Sequence, residues 1–242
     1  MKTIYLDTEV TGLEKNDKLC QIAFLVVDEQ GNFEVYEELC NPKISITKGA
    51  SDCHGITDDM VADKETFVES SIYQVLESLN NEENCFVAHN ASFDLDMLQR
   101  DGFVWRGKVL DTLKVTRSLY NDDNTIKSFA LQNLRSTLFL HTIEKQMMDE
   151  LNVTIKAHDA LGDVLSLFAL VKYLRESFSI SLEKLIKMSN DKVALTYIPF
   201  GKYRNRTFDE IAQDDSNYLQ WILDNDFDDS IVYSAKMALG TV

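Results

Sequence analysis

No stretch of the 242-residue sequence stays apolar for the roughly 18 residues that a transmembrane helix needs, so we expect no membrane span. Cysteine is scarce, and its spacing gives no CxxC pair and no zinc-binding pattern, which predicts free thiols. The N-terminal ten residues carry acids where a signal peptide needs an apolar stretch. We therefore expect a cytoplasmic protein with four reduced cysteines: Cys20, Cys40, Cys53 and Cys85.

Basic residues are also in the minority. Lys and Arg number 24 against 40 Asp and Glu, which gives a formal net charge of −16. This balance excludes a passive protein that binds nucleic acid over its whole surface, because such proteins are basic. Any contact with nucleic acid must therefore use a local basic patch or a metal ion. The apolar content of 45% is high enough for a sizeable core and excludes a fully disordered chain.

The order of apolar patterns predicts an α/β fold. Three short runs separated by turn signals come first and indicate an antiparallel meander: 2–10, 19–28 and 33–40. Two further predicted strands, 85–88 and 109–113, then alternate with segments of helical spacing at 65–79, 92–100, 128–138 and 158–176. Strands followed by alternating strands and helices predict a mixed sheet covered by helices.

The pattern changes near Ser177. A predicted helix at 181–188 leads into a segment that holds Pro199, one of only two prolines, and a polar turn at 201–206. Two or three short helices follow, at 217–223 and 230–239 among them. About 45 residues can hardly bury a core alone, so we expect a small, mainly helical module packed on the first domain. The predicted division is 1–178, a linker with a helix at 179–195, and 196–242.

Asp7 and Glu9 lie two residues apart on the first predicted strand, so both side chains leave the same face of that strand. Such a pair could hold a hard cation through its oxygens. The alternative is a solvated strand end. Two features favour the site: the strand is apolar up to the pair, and Thr11 and Gly12 break it directly afterwards, where open α/β sheets place their sites.

Two further segments place acids at the start of predicted helices. A buried strand runs into a polar turn at 89–93, and Asp94 follows in the first helical turn. His158 precedes Asp163 by five residues, so the two do not share one face of a helix, and we expect His158 in the loop or at the helix start. Taken singly, these residues fit charge compensation at a helix N-terminus and a capping histidine.

Together the three segments resemble the motifs of the DEDDh 3′–5′ exonucleases, which include proofreading subunits, ribonuclease T and exodeoxyribonuclease X-like proteins. The motifs are Asp-Thr-Glu-Val-Thr-Gly-Leu at 7–13, His-Asn-Ala-Ser-Phe-Asp at 89–94 and His-Asp-Ala-Leu-Gly-Asp at 158–163. The resemblance extends over about residues 3–175, and both the order and the spacing of the motifs agree. It departs from the family at Lys156 and Ala157, where arginine is common.

The resemblance implies a ribonuclease H-like, five-stranded mixed sheet and two-metal hydrolysis of phosphodiester bonds that releases 5′-mononucleotides. It assigns the ligands of two Mg²⁺ or Mn²⁺ ions to Asp7, Glu9, Asp94 and Asp163. It assigns the proton acceptor to His158, since imidazole titrates near neutral pH and Mg²⁺ prefers oxygen ligands. Asp111 is excluded from the site as a structural match. Substrate contacts are expected beside the site, at Thr8, Thr11, Asn90 and Phe93, although Phe93 fits core packing equally well.

The second segment resembles the C-terminal domain of exodeoxyribonuclease X-like proteins through residues 198–207 and 217–221. This similarity favours a DNA substrate. Lys202, Arg204 and Arg206 could contact phosphates, or they could form a solvated turn paired with Asp209 and Glu210. Of the aromatic residues nearby, Tyr203 and Trp221 could stack on bases, although the helical spacing of Trp221 from Tyr218 favours a core position for Trp221.

Two other functions stay open at this point. One is an RNA-trimming 3′–5′ exonuclease of the ribonuclease T or oligoribonuclease type, because the fold alone does not fix the sugar. The other is an inactive nucleic-acid-binding module, which the presence of all five key residues disfavours. Single-stranded 3′ ends are the expected nucleic-acid partner, with DNA favoured. A polymerase or repair partner, or a homodimer, is left open, and no membrane partner is expected.

Overall fold

The computed structural model describes residues 1–121, 126, 128–151, 153, 160–225 and 227–241. Five strands form one sheet in the order β3-β2-β1-β4-β5. The strands are β1 (Thr3–Val10), β2 (Leu19–Val27), β3 (Phe33–Leu39), β4 (Cys85–Ala88) and β5 (Lys108–Asp111). β1, β2 and β3 pair antiparallel, whereas β4 and β5 run parallel to β1. The predicted mixed five-stranded sheet is confirmed.

The helices of the described residues all come after β3: three lie between β3 and β4, one lies between β4 and β5, and the others follow β5. They are α1 (Lys48–His54), α2 (Asp58–Val61), α3 (Ser71–Leu79), α4 (Ala91–Arg100), α5 (Thr112–Leu119), α6 (Leu131–Thr137), α7 (His141–Leu151), α8 (Ala160–Phe178), α9 (Leu182–Asn190), α10 (Phe208–Asp214), α11 (Ser216–Leu223) and α12 (Asp229–Ala238). Short 3₁₀ turns cover Phe67–Glu69 and Gly201–Tyr203.

Alternation along β1 separates two apolar cores. Ile4 and Leu6 face α3 and α4, together with Phe24 and Phe86 of the neighbouring strands. Tyr5 faces the opposite layer, whose centre is α8. That helix is buried over most of its circumference because it packs on β1 and β2 and also carries α6 and α7. The sheet therefore lies between two helical layers, as predicted.

Several element boundaries differ from the prediction. The strand predicted at 109–113 ends at Asp111, because the Asp111 carboxylate accepts hydrogen bonds from the Leu113 and Lys114 amides and starts α5 there. The helix predicted at 128–138 begins at Leu131 instead. The segment 65–79 is divided between a 3₁₀ turn and α3, separated at Ser70. The first two residues of the helix predicted at 158–176 lie outside the described residues.

The C-terminal segment has a small core of its own. Seven buried apolar residues form it: Ile198, Phe208, Ile211, Leu219, Ile222, Ile231 and Ala235. α9, in the segment predicted as a linker, packs instead on the first core through Leu185 and Ile186. Its Ser189 hydroxyl accepts a hydrogen bond from the Asp111 amide at 2.7 Å. The domain boundaries at 178 and 195 stay a prediction.

Candidate active site

The carboxyl end of β1 carries the first two predicted ligands. Asp7 and Glu9 are half-buried on one face of the strand, while Thr8 between them is buried on the other. β1 pairs with β4 only as far as Tyr5, so the strand extends beyond its parallel neighbour at this point. The predicted acid pair therefore lies at the carboxyl end of the central strand, beyond the last pairing with β4 and at the edge of the sheet from which α4 begins.

Asp94 reaches this edge from the first turn of α4. Asn90 caps that helix with a left-handed backbone, φ 70°, and its amide donates to Asp111 at 3.1 Å. The Thr8 hydroxyl donates to Asp94 Oδ1 at 2.8 Å. Burial raises the pKa of the Asp94 carboxyl to about 7, although the Thr8 hydrogen bond acts in the opposite direction. α4 thus presents a carboxyl group that holds its charge poorly until a cation approaches.

Asp163 lies in the first turn of α8, as the predicted helix start requires. Its carboxylate accepts a short hydrogen bond from the Gln132 amide of α6. Gln132 is a site residue that the sequence reasoning missed, because a contact over 31 residues between two helices leaves no local pattern. His158, the predicted proton acceptor, lies outside the described residues.

Electrostatics connect these four acids. The pKa of Asp7 is raised well above its ordinary value, first by burial and then by the nearby carboxylates of Asp94, Asp163 and Glu9. The structure therefore brings together the four acids that the three motifs predict. An all-oxygen donor set, in which burial and the nearby carboxylates raise the pKa of Asp7, suits a hard divalent cation.

Two of the four carboxylates accept hydrogen bonds from neighbouring side chains. In the described part of the chain, no three His, Cys, Asp or Glu side chains form a group that could hold a metal as they stand. Thr8 donates to one oxygen of Asp94 and Gln132 to one oxygen of Asp163, and a carboxylate oxygen that accepts one hydrogen bond can still bind a cation through its second lone pair.

The remaining residues predicted beside the site fall into two groups. Thr8 touches Asp94, and Phe93 is half-buried next to it on α4. Thr11 is fully buried, and its hydroxyl donates to Asp17 at 2.6 Å. Its amide and carbonyl bond to Lys18 and Thr47. The hydroxyl, amide and carbonyl of Thr11 all form hydrogen bonds within the protein, so Thr11 holds the loop that follows β1. Its geometry does not support the predicted contact with substrate.

Asp111 and His89 also have structural partners. Asp111 is buried and accepts hydrogen bonds from the Asn90, Leu113 and Lys114 amides, which agrees with its exclusion from the ligand set. His89 contacts the Thr112 hydroxyl and the Phe129 carbonyl, and burial lowers its pKa. Both residues fix the turn from which α4 starts.

The basic turn of the C-terminal segment is paired with one of the two predicted acids, Glu210, and with two acids that were not predicted, Asp214 and Asp215. Lys202 bonds to Asp215 at 3.0 Å, and Arg206 bonds to Asp214 at 2.6 Å as well as approaching Glu210. Arg204 is exposed and lines a cavity that faces the first domain.

The prediction of a core position for Trp221 is wrong. Trp221 is 46% exposed. Its ring lies against Tyr218 and Phe227 at the surface of the module, with centroid distances of 5.4 and 5.2 Å. Helical spacing placed the residue beside Tyr218 correctly, but the buried positions of α11 are Leu219 and Ile222.

Comparison with known proteins adds to this geometry. Residues 4–171 match the family model described as Exonuclease, and residues 198–227 match the Exodeoxyribonuclease X-like C-terminal model. The chain belongs to the exonuclease family. It is accordingly a hydrolytic nuclease, and the predicted resemblance is confirmed in both segments.

Relatives of known structure or name agree with this assignment. Exodeoxyribonuclease 10 of Escherichia coli K12 is 29% identical over 224 residues, which cover 91% of this chain and 90% of the relative. A structure of exonuclease X with 5′-overhanging duplex DNA is 25% identical, with a TM-score of 0.59 over 78% of this chain and 99% of that one. A structure of Escherichia coli exonuclease I with single-stranded DNA is 20% identical, with a TM-score of 0.58 over 77% of this chain and 42% of that one. At this identity the similarity supports the fold alone.

Two further predictions are confirmed in coarser form. Exonucleases of this family use divalent metal ions, and related structures bind nucleic acid. Among the helices that the structure describes, none is long and apolar enough to span a membrane.

Proposed function

We propose that this exonuclease removes nucleotides from the 3′ end of DNA and releases 5′-mononucleotides. The observation that carries the proposal is the convergence of Asp7, Glu9, Asp94 and Asp163 at the carboxyl end of β1. Similarity to exodeoxyribonuclease 10 along nearly the whole chain, including the C-terminal segment, supports DNA over RNA as the substrate.

The four carboxylates are the proposed ligands of two Mg²⁺ or Mn²⁺ ions. When bound, such ions supply an activated water and stabilise the leaving 3′ oxygen. Thr8 and Gln132 orient two of the ligands by donating hydrogen bonds to Asp94 and Asp163. The chain's own contribution is thus to hold the ligands in place and to supply a nearby proton acceptor.

His158 is the proposed proton acceptor. An imidazole is half-protonated near neutral pH, so it can take the proton of an attacking water at physiological pH. Phe93 and Asn90 are the proposed contacts to the terminal nucleotide, since one flanks Asp94 on α4 and the other caps that helix.

Digestion of matched strands tests the proposal. A 5′-labelled DNA strand, an RNA strand of the same sequence and the DNA duplex are incubated with Mg²⁺ and sampled over time. We expect a ladder that shortens from the 3′ end of DNA. Faster trimming of RNA would favour the ribonuclease T type, and binding without cleavage by the wild-type protein would favour the inactive module.

We also propose a reducing, cytoplasmic location, with no partner protein assigned. All four cysteines are free thiols. Burial raises the pKa of Cys20, Cys40 and Cys85 to about 12, which keeps these thiols protonated and unreactive. Thiol titration should therefore find one rapidly reacting cysteine, the exposed Cys53, in the native protein and four after unfolding.

A further inference from the structure

A cavity of about 800 Å³ lies between the first domain and the C-terminal segment. Its wall on the domain side includes His89 and Ala130. His89 directly precedes Asn90, the cap of the helix that carries Asp94, and Ala130 is the cap of α6, from which Gln132 reaches Asp163. The cavity therefore lies beside the starts of the two helices, α4 and α6, that carry Asp94 and Gln132 of the candidate active site.

The part of the cavity wall that the structure describes differs in charge from the protein's overall acidic composition. None of the described residues that line it is an Asp or Glu, in a chain with 40 acids, whereas two arginines line it. Arg117 forms an ion pair with Asp228 at 3.0 Å. Arg204 has no carboxylate among the described residues within ion-pair distance, unlike Lys202 and Arg206 of the same turn. This wall attracts an anionic group such as a phosphate.

Aromatic surface accompanies the positive charge. Tyr197, 39% exposed, lines the cavity from the C-terminal segment, and Phe129 and Tyr120 line it from the first domain. Aromatic rings beside cations are the features with which proteins bind single strands, because bases stack on the rings while phosphates meet the charges. The volume falls within the roughly 300–1,000 Å³ of small-ligand sites, enough for one or two nucleotides.

We propose that this cavity is a subsite for the substrate strand and holds the one or two nucleotides on the 5′ side of the bond that is cut. Arg204 binds a backbone phosphate there, and Tyr197 offers a stacking surface for a base. This assignment rests on the proposed function and deepens it. The C-terminal segment would then raise kcat/KM for strands that extend beyond the nucleotide being removed.

Two substrates separate this subsite from the catalytic centre. The p-nitrophenyl ester of thymidine 5′-monophosphate has no nucleotide on the 5′ side, whereas an eight-nucleotide DNA strand has seven. We expect Arg204→Ala to lower kcat/KM on the strand about tenfold more than on the ester. Its binding to the strand, measured by fluorescence anisotropy in EDTA, should show a salt slope smaller by about 0.7, the value for one lost phosphate contact.

Two matched variants control for charge and for aromatic area. Arg206→Ala removes a cation of the same turn, but this cation is paired with Asp214 and does not line the cavity. The fall in kcat/KM on the strand should therefore be smaller in Arg206→Ala than in Arg204→Ala. Tyr197→Ser should weaken strand binding about tenfold, the size of one stacking contact. Trp221→Ala, an exposed aromatic residue outside the cavity, should weaken it less.

Three results would overturn the assignment. Equal falls in kcat/KM on the strand in Arg204→Ala and Arg206→Ala would indicate that the overall charge of the turn, and not the cavity, affects strand use. If added 5′-mononucleotide inhibits Arg204→Ala less than wild type, while kcat/KM on the strand is unaltered, the cavity would be assigned to the released product. Equal strand binding in all four variants and wild type would remove the cavity from substrate binding. A wild-type protein that cleaves neither substrate contradicts the proposed function instead, and the anisotropy comparison still tests the subsite.

Discussion

The Thr8 hydroxyl donates a hydrogen bond to Asp94 Oδ1 at 2.8 Å, and this bond joins β1 to α4 across 86 positions of sequence. Both partners are buried, and each belongs to a different acidic motif. The bond has two effects. It fixes the Asp94 carboxylate relative to Asp7 and Glu9 on either side of Thr8, and it opposes the rise in the Asp94 pKa that burial causes.

Removing this hydroxyl should weaken metal binding near neutral pH. In Thr8→Val the pKa of Asp94 rises further, so protons compete better with Mg²⁺ for the carboxylate. We expect the dissociation constant of Mg²⁺, measured by calorimetry, to increase severalfold at pH 7 and to approach the wild-type value at pH 9. Thr8→Ser keeps a hydroxyl and should stay close to wild type. Equal affinities of wild type and Thr8→Val at pH 7 would show that the bond does not govern this ligand.

The metal-free protein should lose stability as pH rises. The Asp94 carboxyl has a pKa of about 7 in the folded state, whereas a carboxyl in the unfolded state has a pKa of about 3.9. At any pH between these two values, the group is mostly protonated in the folded state and mostly ionised in the unfolded state. The unfolded state binds fewer protons there, so the free energy of unfolding falls with pH, by about 1 kcal/mol per unit or about 2–4 °C in Tm.

His54 and His89 act in the opposite direction, because burial lowers their pKa values. The measurement is therefore the difference between wild type and Asp94→Asn in EDTA from pH 5 to 8. We expect the variant to gain stability relative to wild type as pH rises. A difference that is constant across this range would mean that Asp94 is ionised throughout.

Asp7 should control the response to metal. At 100 times its dissociation constant, Mg²⁺ should stabilise the wild-type protein by about 2.7 kcal/mol if the unfolded chain does not bind it. Asp7→Asn removes a ligand and also relieves the repulsion from Asp94, Asp163 and Glu9. We expect the variant to be at least as stable in EDTA, to gain less from Mg²⁺ and to lose hydrolysis. The same Mg²⁺-induced rise in Tm in both proteins would contradict the assignment.

His158 should affect the rate rather than metal binding. As a general base it must be neutral, so the rate should fall as pH drops through its pKa. His158→Ala should lose roughly 10²- to 10⁴-fold in kcat, with the Mg²⁺ dissociation constant close to wild type. A variant that keeps the wild-type rate and pH profile would show that another group accepts the proton.

Local patterns predicted most of the sheet but not all of the helices. Strands such as Thr3–Val10 are apolar, short and bounded by turns, so a single pattern defines them. α7 was missed because one of its buried residues is a charged one, Glu144, which is paired with Arg135 and hydrogen-bonded by Ser166. Partners that satisfy a buried charge come from other helices and leave no local trace in the sequence.

The site divides in the same way. Asp7, Glu9, Asp94 and Asp163 could be predicted because the first two lie near the end of a recognisable strand and the other two at recognisable helix starts. The order of the three motifs also matches a known family. Gln132 could not, since its contact with Asp163 depends on how α6 packs beside α8. The ion pairs of the basic turn likewise involve Asp214 and Asp215, which become neighbours of the turn only after α10 has formed.

Product analysis on one 5′-labelled DNA strand with Mg²⁺, for the wild-type protein and for Asp7→Ala, tests the proposed 3′–5′ exonuclease activity directly. We expect the wild type to shorten the strand from its 3′ end one nucleotide at a time and to release 5′-mononucleotides, whereas Asp7→Ala should bind the strand and leave it intact. Shortening from the 5′ end, release of 3′-mononucleotides, or unchanged cleavage by Asp7→Ala would contradict the proposal.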